Sequence, residues 1–117
     1  MGNIATAKLI TLRISPKKVR RVANVVRGKE VVEALHILSV LPQRACKPLS
    51  KLIKSAAANA EEQFGSDKED LTIRELYVDE GVTLKRFQPR ARGRAFSIMK
   101  RSSHLFVAVE DSEEEKE

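Results

Sequence analysis

The sequence predicts an α+β domain in which three helices pack on a small, mostly antiparallel sheet and one long β-hairpin projects from it. Three observations carry that expectation. Apolar side chains recur at helical spacing in three stretches between residues 16 and 64. They recur at strand spacing, or in β-rich runs, at 8–14, 71–79 and 104–109. Between the last two runs lies a stretch, residues 81–104, that holds seven basic residues and no Asp or Glu. At 117 residues the chain has room for one core and not for two.

Taken in order, residues 1–6 read as a loose start. From Lys8 onward the pattern sets Ile10, Leu12 and Ile14 on one side of a strand. Ser15 followed by Pro16 is a helix start, since a hydroxyl can cap free N–H groups and the proline ring is already near helical φ. Val19, Val22, Ala23 and Val26 then form one apolar stripe, with Lys17, Arg20, Arg21, Asn24 and Arg27 opposite it at ~100° per residue. Gly28 ends the helix. The polar face contains no acid, which favours a phosphate-facing helix over a merely solvated one. A second helix over 30–41 turns Val31, Ala34, Leu35 and Leu38 inward and stops at Pro42; its lone His36 reads as a surface or partly packed residue with no chemical role. A third carries Leu49, Leu52, Ile53, Ala56, Ala60 and Phe64 on one face. Pro48 would clash inside a helix begun at Pro42, so either that helix kinks there or it starts near Lys47. The run of small residues at 56–60 lets a neighbouring backbone come close, and residues 65–70 form a polar loop.

The strands at 71–79 and 104–109 pair and continue as the two arms of the basic stretch. Pro89 and Gly93 sit where a turn is needed, which puts the tip at Pro89, Arg90, Ala91, Arg92 and Gly93. With that turn, Lys85 falls opposite Ile98 and Leu84 opposite Met99. Phe87 and Phe96 either stack on bases or pair across the hairpin. Seven like charges on a two-stranded ribbon repel each other, and such a ribbon is not stable alone. A polyanion along its length neutralises it, and nucleic acid is the obvious one. The candidate contacts are Lys85, Arg86, Arg90, Arg92, Arg94, Lys100 and Arg101 on the ribbon, with Lys17, Lys18, Arg20, Arg21 and Arg27 on the first helix. Arginine suits tightly folded RNA because its planar fork binds phosphate bidentately and stacks on bases.

Composition agrees. Net charge is +6, and residues 110–117 alone carry −5, so residues 1–109 carry +11. A body of that charge reads as nucleic-acid binding, and 110–117 as a solvated, disordered acidic tail. Only 4% of residues are aromatic and none is Trp, so the core is built from Val, Leu, Ile and Ala. A single Cys permits no internal disulfide and fits a reducing compartment. No apolar run approaches signal or membrane-span length, so a soluble intracellular protein is expected.

Catalysis finds little footing. Cys46, His36 and His104 fall on different elements, and there is no CxxC pair, HExxH or phosphate-binding Gly loop. Asp79 and Glu80 point to opposite faces of a strand and do not share a site. His104 reads as a hydrogen-bonding anchor at the hairpin base. A structural RNA-binding protein is favoured over a DNA-binding module with a two-stranded ribbon in a major groove. The basic residues are spread over several elements, as suits RNA that wraps more than one face.

The order of these blocks is specific. Lys85, then Arg90-Ala91-Arg92-Gly93-Arg94, then His104-Leu105 leading into Val107 and Val109, resembles the signature of the universal large-subunit ribosomal protein family numbered twenty-two. Ile14-Ser15-Pro16-Lys17-Lys18-Val19-Arg20, Val26-Arg27-Gly28-Lys29, the AAANAE run at 56–61 and Val78-Asp79-Glu80-Gly81 agree, and the likeness runs from about Ala7 to Val109. The resemblance, to the bacterial or plastid type, implies a three-stranded sheet and a role in assembling large-subunit rRNA. It implies a body near the outer opening of the nascent-chain exit tunnel and a hairpin that forms part of the tunnel wall. Its implied partners are large-subunit rRNA, neighbouring large-subunit ribosomal proteins and the nascent polypeptide. No cofactor, metal, membrane or homo-oligomer is expected, and the location is the ribosome of the cytoplasm or plastid stroma. The acidic tail is not part of the family pattern.

Overall fold

The computed structural model describes residues 3–81, 84–89 and 95–111, with 84–89 and 95–100 described by backbone and register. Along the chain come β1 (Ile4–Leu12), α1 (Pro16–Val26), α2 (Val31–Val40), α3 (Cys46–Phe64) and a 3₁₀ turn (Lys68–Asp70). Then follow β2 (Leu71–Glu80), β3 (Leu84–Pro89), β4 (Ala95–Lys100) and β5 (Ser103–Asp111). β1, β5 and β2 form an antiparallel three-stranded sheet in that order, and β3 and β4 pair as a separate two-stranded ribbon. The architecture is the expected α+β one.

β5 lies at the centre of the sheet because it is apolar on the side that faces the helices. Leu105, Val107 and Val109 are buried together with Ile73, Leu76 and Val78 of β2. Val19, Val22 and Val26 of α1, Val31 and Leu38 of α2, and Leu49, Ile53 and Ala56 of α3 close the same core. Branched aliphatics and alanines fill it throughout, as a composition poor in aromatics requires.

The ends of α1 and α3 show local backbone chemistry. Pro16 is the first residue of α1, and the Ser15 carbonyl accepts from the N–H groups of Lys18 and Val19. The Ser15 hydroxyl makes no cap bond, contrary to expectation. Gly28, at φ 80°, takes the left-handed conformation that ends α1, and Gly65, at φ 66°, does the same after α3. Pro48 resolves in favour of a late start. α3 begins at Cys46, so Pro48 lies in its first turn, where no N–H is needed by the helix. Phe64, expected inward, is the last residue of α3 and is half-exposed.

The first strand departs from expectation at both ends. It begins at Ile4, within the predicted loose start. Leu9 pairs with Leu105 but Leu12 with Ser103, so Ile10 and Thr11 together stand opposite His104. That bulge reverses the alternation. Ala5, Ala7, Leu9 and Leu12 turn toward the core, and Ile10 is left 70% exposed. A pattern of period two cannot be carried through an inserted residue, and this puts Ile10 on the side opposite to the expected one.

Two further boundaries are corrected. β5 runs on to Asp111, which pairs with Leu71, donates its N–H to Asn3 O at 2.9 Å and is buried. The Ser66 hydroxyl donates to the Asp111 carboxylate. Glu110 and Asp111 therefore belong to the sheet and not to a tail, and residues 112–117 lie outside the described residues. In the ribbon, Lys85 pairs with Met99 and Leu84 with Lys100, one residue off the expected register. Pro89 pairs with Ala95, leaving five residues between the strands where the expected register implies four. In this register Phe87 stands opposite Ser97 and Phe96 opposite Gln88, so the two aromatics are not cross-strand partners.

β3 and β4 join no other strand among the described residues. The radius of gyration is 17.7 Å and the longest extent 73 Å, with the other two 26 and 17 Å. A compact chain of this length would have a radius near ~13 Å. The ribbon therefore projects.

The corrected strand leads to a contrast. Ile53→Ala should cost about 2–5 kcal/mol because the side chain is fully enclosed. Ile10→Ala should change stability by no more than ~0.5 kcal/mol. Urea denaturation of both variants checks the side assignment, and equal losses would contradict it.

Candidate nucleic-acid interface

The hairpin leaves the body through a root in which every short residue has a task. The β2–β5 ladder runs to the pair Glu80–Ser103, and Gly81 N–H then donates to Ser102 O at 2.9 Å. The Ser103 hydroxyl donates to Ile14 O at 2.6 Å, tying the root to the turn before α1. Thr11 N–H donates to His104 Nδ1 at 3.0 Å. His104 is thus the anchor that the sequence suggests, and it holds the bulge of β1 in place. Thr11 sits at φ 63°, a conformation that β-branched residues rarely adopt, and this bond helps keep it there. A Cβ on Gly81 would lie 2.5 Å from Ser102 Oγ and 3.2 Å from His104 Cε1, so a larger residue there has to turn the Ser102 hydroxyl aside and displace the His104 ring by a few tenths of an ångström.

α1 presents its basic face beside the edge strand β2. Lys17, Lys18, Arg20, Arg21 and Arg27 are all exposed, but they divide into two groups. Arg20 reaches the Val78 carbonyl with Nε at 3.1 Å and Nη2 at 2.8 Å. Arg27, two turns on, reaches the Leu76 carbonyl with Nε at 3.1 Å and Nη2 at 2.8 Å. Its Nη1 donates to Asn24 Oδ1. The two guanidinium groups satisfy carbonyls that β2, an edge strand, would otherwise leave to water or to another chain. Lys17, Lys18 and Arg21 make no hydrogen bond or ion pair among the described residues, and their charge is available to a ligand.

Sequence reasoning assigns Arg20 and Arg27 to the ligand alone and misses their structural bond. Their spacing of seven residues puts them on one helix face, but nothing in it names β2 as the neighbour. Asn59 is missed for the same reason. Its side-chain amide donates to Thr6 O at 2.8 Å and ties α3 to β1, the other edge strand.

On the ribbon, Lys85 and Arg86 fall on β3, Lys100 on β4, and Arg101 is exposed at the root. Pro89 closes β3. Arg90, Ala91, Arg92, Gly93 and Arg94 lie outside the described residues. Arg13, exposed in the turn between β1 and α1, adds a cation that the sequence reading does not single out.

The remaining chemistry is sparse. Burial pushes the Cys46 thiol up, partly offset by a backbone hydrogen bond at Gln43, which is the opposite of what a nucleophile needs. Among the described residues no group of three or more His, Cys, Asp or Glu could hold a metal ion, and no helix is long and apolar enough to cross a membrane.

Fold and basic surfaces together define a basic α+β domain that carries a projecting β-ribbon. Residues 7–110 match the family described as Ribosomal protein L22p/L17e, and the chain belongs to that family. It is a family of structural proteins of the large ribosomal subunit, and the chain is a ribonucleoprotein component of translation.

The structural role of Arg20 and Arg27 is open to test. Replacing both by Lys keeps the charge but loses the planar fork, and should destabilise the fold by about 1–2 kcal/mol. The triple change Lys17→Ala, Lys18→Ala and Arg21→Ala should leave stability within ~0.5 kcal/mol. Thermal melts of the free proteins distinguish the two sets.

Proposed function

We propose that the chain binds large-subunit rRNA through α1 and the ribbon, aids assembly of that RNA, and lines the nascent-peptide exit tunnel with its hairpin. The observation that carries this reading is the ribbon itself. Two paired strands continue out of the core from a fixed root, in a stretch with seven basic residues and no acid. Such an element joins no other strand among the described residues. It gains most from a ligand that supplies negative charge along its whole length.

Lys17, Lys18 and Arg21 supply a second, shorter contact on a rigid helix. Phosphate contacts of this kind fix position and carry no sequence information, which suits a protein that orders RNA rather than reads it. Neighbouring large-subunit proteins, and the nascent polypeptide near the hairpin, complete the set of partners. The family supports this reading through its place in the large subunit.

Affinity for large-subunit rRNA should fall steeply with salt. Changing Lys17, Lys18 and Arg21 to Ala should reduce the log–log slope by roughly 2–3, near one for each phosphate that is no longer neutralised. A flat titration would remove the electrostatic reading, and equal affinity for duplex DNA would favour a DNA-binding module. The tunnel assignment has its own test. With residues 84–100 replaced by a short Gly-Ser turn, the protein should still enter the particle through its body. Chemical probing of tunnel rRNA should then change near the missing hairpin. Unchanged reactivities in particles shown to contain the variant would refute it.

A further inference from the structure

The sheet has a second face, turned away from the helices, that neither α1 nor the ribbon uses. Strand alternation puts Lys8 and Ile10 of β1, Glu75, Tyr77 and Asp79 of β2, and His104 and Phe106 of β5 on it. Register sets Lys8, Phe106 and Tyr77 in one row across the three strands. The Tyr77 and Phe106 rings stack with centroids 6.0 Å apart and planes 13° apart. Lys8 Nζ lies 6.0 Å from the Phe106 centroid. In a chain with five aromatic side chains, two are spent side by side on an open surface. Tyr77 is 50% exposed there, and Ile10 is 70% exposed at the lip. Between Lys8, Ile10, Tyr77, Asp79, His104 and Phe106 lies a depression of about 450 Å³.

Charge decides what such a surface fits. The chain as a whole is +6, yet this face holds Glu75, Asp79 and Glu110 against Lys8 and Arg74. Arg74 and Glu110 pair with each other at 3.3 Å. Lys8 is then left facing two carboxylates, Glu75 and Asp79, which have no partner among the described residues. Both are two residues from Tyr77 and share its side of the strand. A phosphate chain would meet net negative charge here, whereas α1 and the ribbon offer it positive charge. A cationic side chain meets the reverse: a ring face to stack on and a carboxylate on either side.

We propose that the open face of the β1–β5–β2 sheet is a docking surface for a Lys- and Arg-bearing segment of a neighbouring protein in the same particle. A guanidinium stacks on Tyr77 and pairs with Asp79 or Glu75, and an apolar residue of the segment fills the depression beside Ile10. Particles built on RNA hold basic extensions, and the ribbon of this chain is itself one, so a partner of this chemistry is at hand. The inference rests on the ribosomal reading for the source of the partner. The chemistry of the face stands independently of it.

The test replaces Tyr77 by the photo-crosslinking residue p-benzoyl-phenylalanine in the full chain, expressed in cells, and irradiates purified large subunits. Co-purification with large-subunit rRNA is scored first. Absence of the unsubstituted chain from the particle would overturn the ribosomal reading and this inference with it. Where it is present, the expected product is a crosslink to a polypeptide segment with an excess of Lys and Arg. In the background of Glu75→Lys with Asp79→Lys, its yield should fall about fivefold or more, as charge reversal at a docking surface demands. A crosslink to RNA, a crosslink to a neutral or acidic segment, no crosslink, or a yield indifferent to the charge reversal would each overturn the proposal while leaving rRNA binding intact. If the Tyr77 variant alone fails to enter the particle, the same probe at Ile10, on the opposite lip, gives the same decision.

Discussion

Pairing between β2 and β5 is the interaction on which both halves of this molecule depend. Inside the body, the ladder brings Ile73, Leu76 and Val78 beside Leu105, Val107 and Val109, and so makes the floor of the core. Outside it, the chain between these two strands forms a separate ribbon, β3–β4, that joins no other strand among the described residues. Strand pairing is cooperative along a ladder, and a charged hairpin that had to form alone would lose the contest between backbone pairing and side-chain repulsion. Starting from pairs already held by buried side chains, it needs only to be extended. The root residues Gly81, Ser102, Ser103 and His104 lie where the support of the core ends, and each is fastened by a hydrogen bond or a close approach.

A small sheet that grows a ribbon must also deal with its edges. β1 and β2 are both edge strands, and each presents carbonyls that another chain could pair with. Helix side chains meet them on both sides: Asn59 of α3 at Thr6, and Arg20 and Arg27 of α1 at Val78 and Leu76. Arginine suits the second task because it offers several donors in a rigid plane. With Nε and Nη2 turned inward, the charge still faces solvent at the rim. One residue thus fixes the helix against the strand and contributes to the field around it. Such a residue is held in place by the fold itself.

The parts of this fold that follow from short-range chemistry are legible in the sequence. The α1 stripe, the end of that helix at Gly28, the α3 apolar face up to Ala60, the strands at 71–79 and 104–109 and the basic ribbon between them all rest on periodicity or on backbone preference. His104 reads correctly as an anchor, although nothing in the sequence names its partner Thr11. The misreadings share one physical origin. Ile10, the hairpin register, the tail at Glu110 and the structural bonds of Arg20, Arg27 and Asn59 all depend on which strand lies next to which, and at what offset. A bulge of one residue, or five residues instead of four between the ribbon strands, leaves no local mark in composition. Asp111 is the clearest case. In an acidic run it looks like solvated chain, but the register with Leu71 and the hydroxyl of Ser66 bury it.

The uneven distribution of charge has a consequence for how the body meets a polyanion. The free cations Lys17, Lys18 and Arg21 are on α1, on the helical side of the sheet, and the ribbon charges extend from its end. Glu75 and Asp79 are on the side away from the helices. A chain with +11 over residues 1–109, reduced by Glu110 and Asp111 at the end of the sheet, attracts a polyanion from every direction at long range. Within about a Debye length, near ~10 Å at moderate salt, local signs begin to matter and the open sheet face is turned away. Under the proposed reading, the helical side and the ribbon are thereby favoured before any specific contact forms. Acids in a strongly basic protein thus add to orientation what they subtract from affinity for a polyanion, and they give the open face of the sheet a sign opposite to that of α1 and the ribbon.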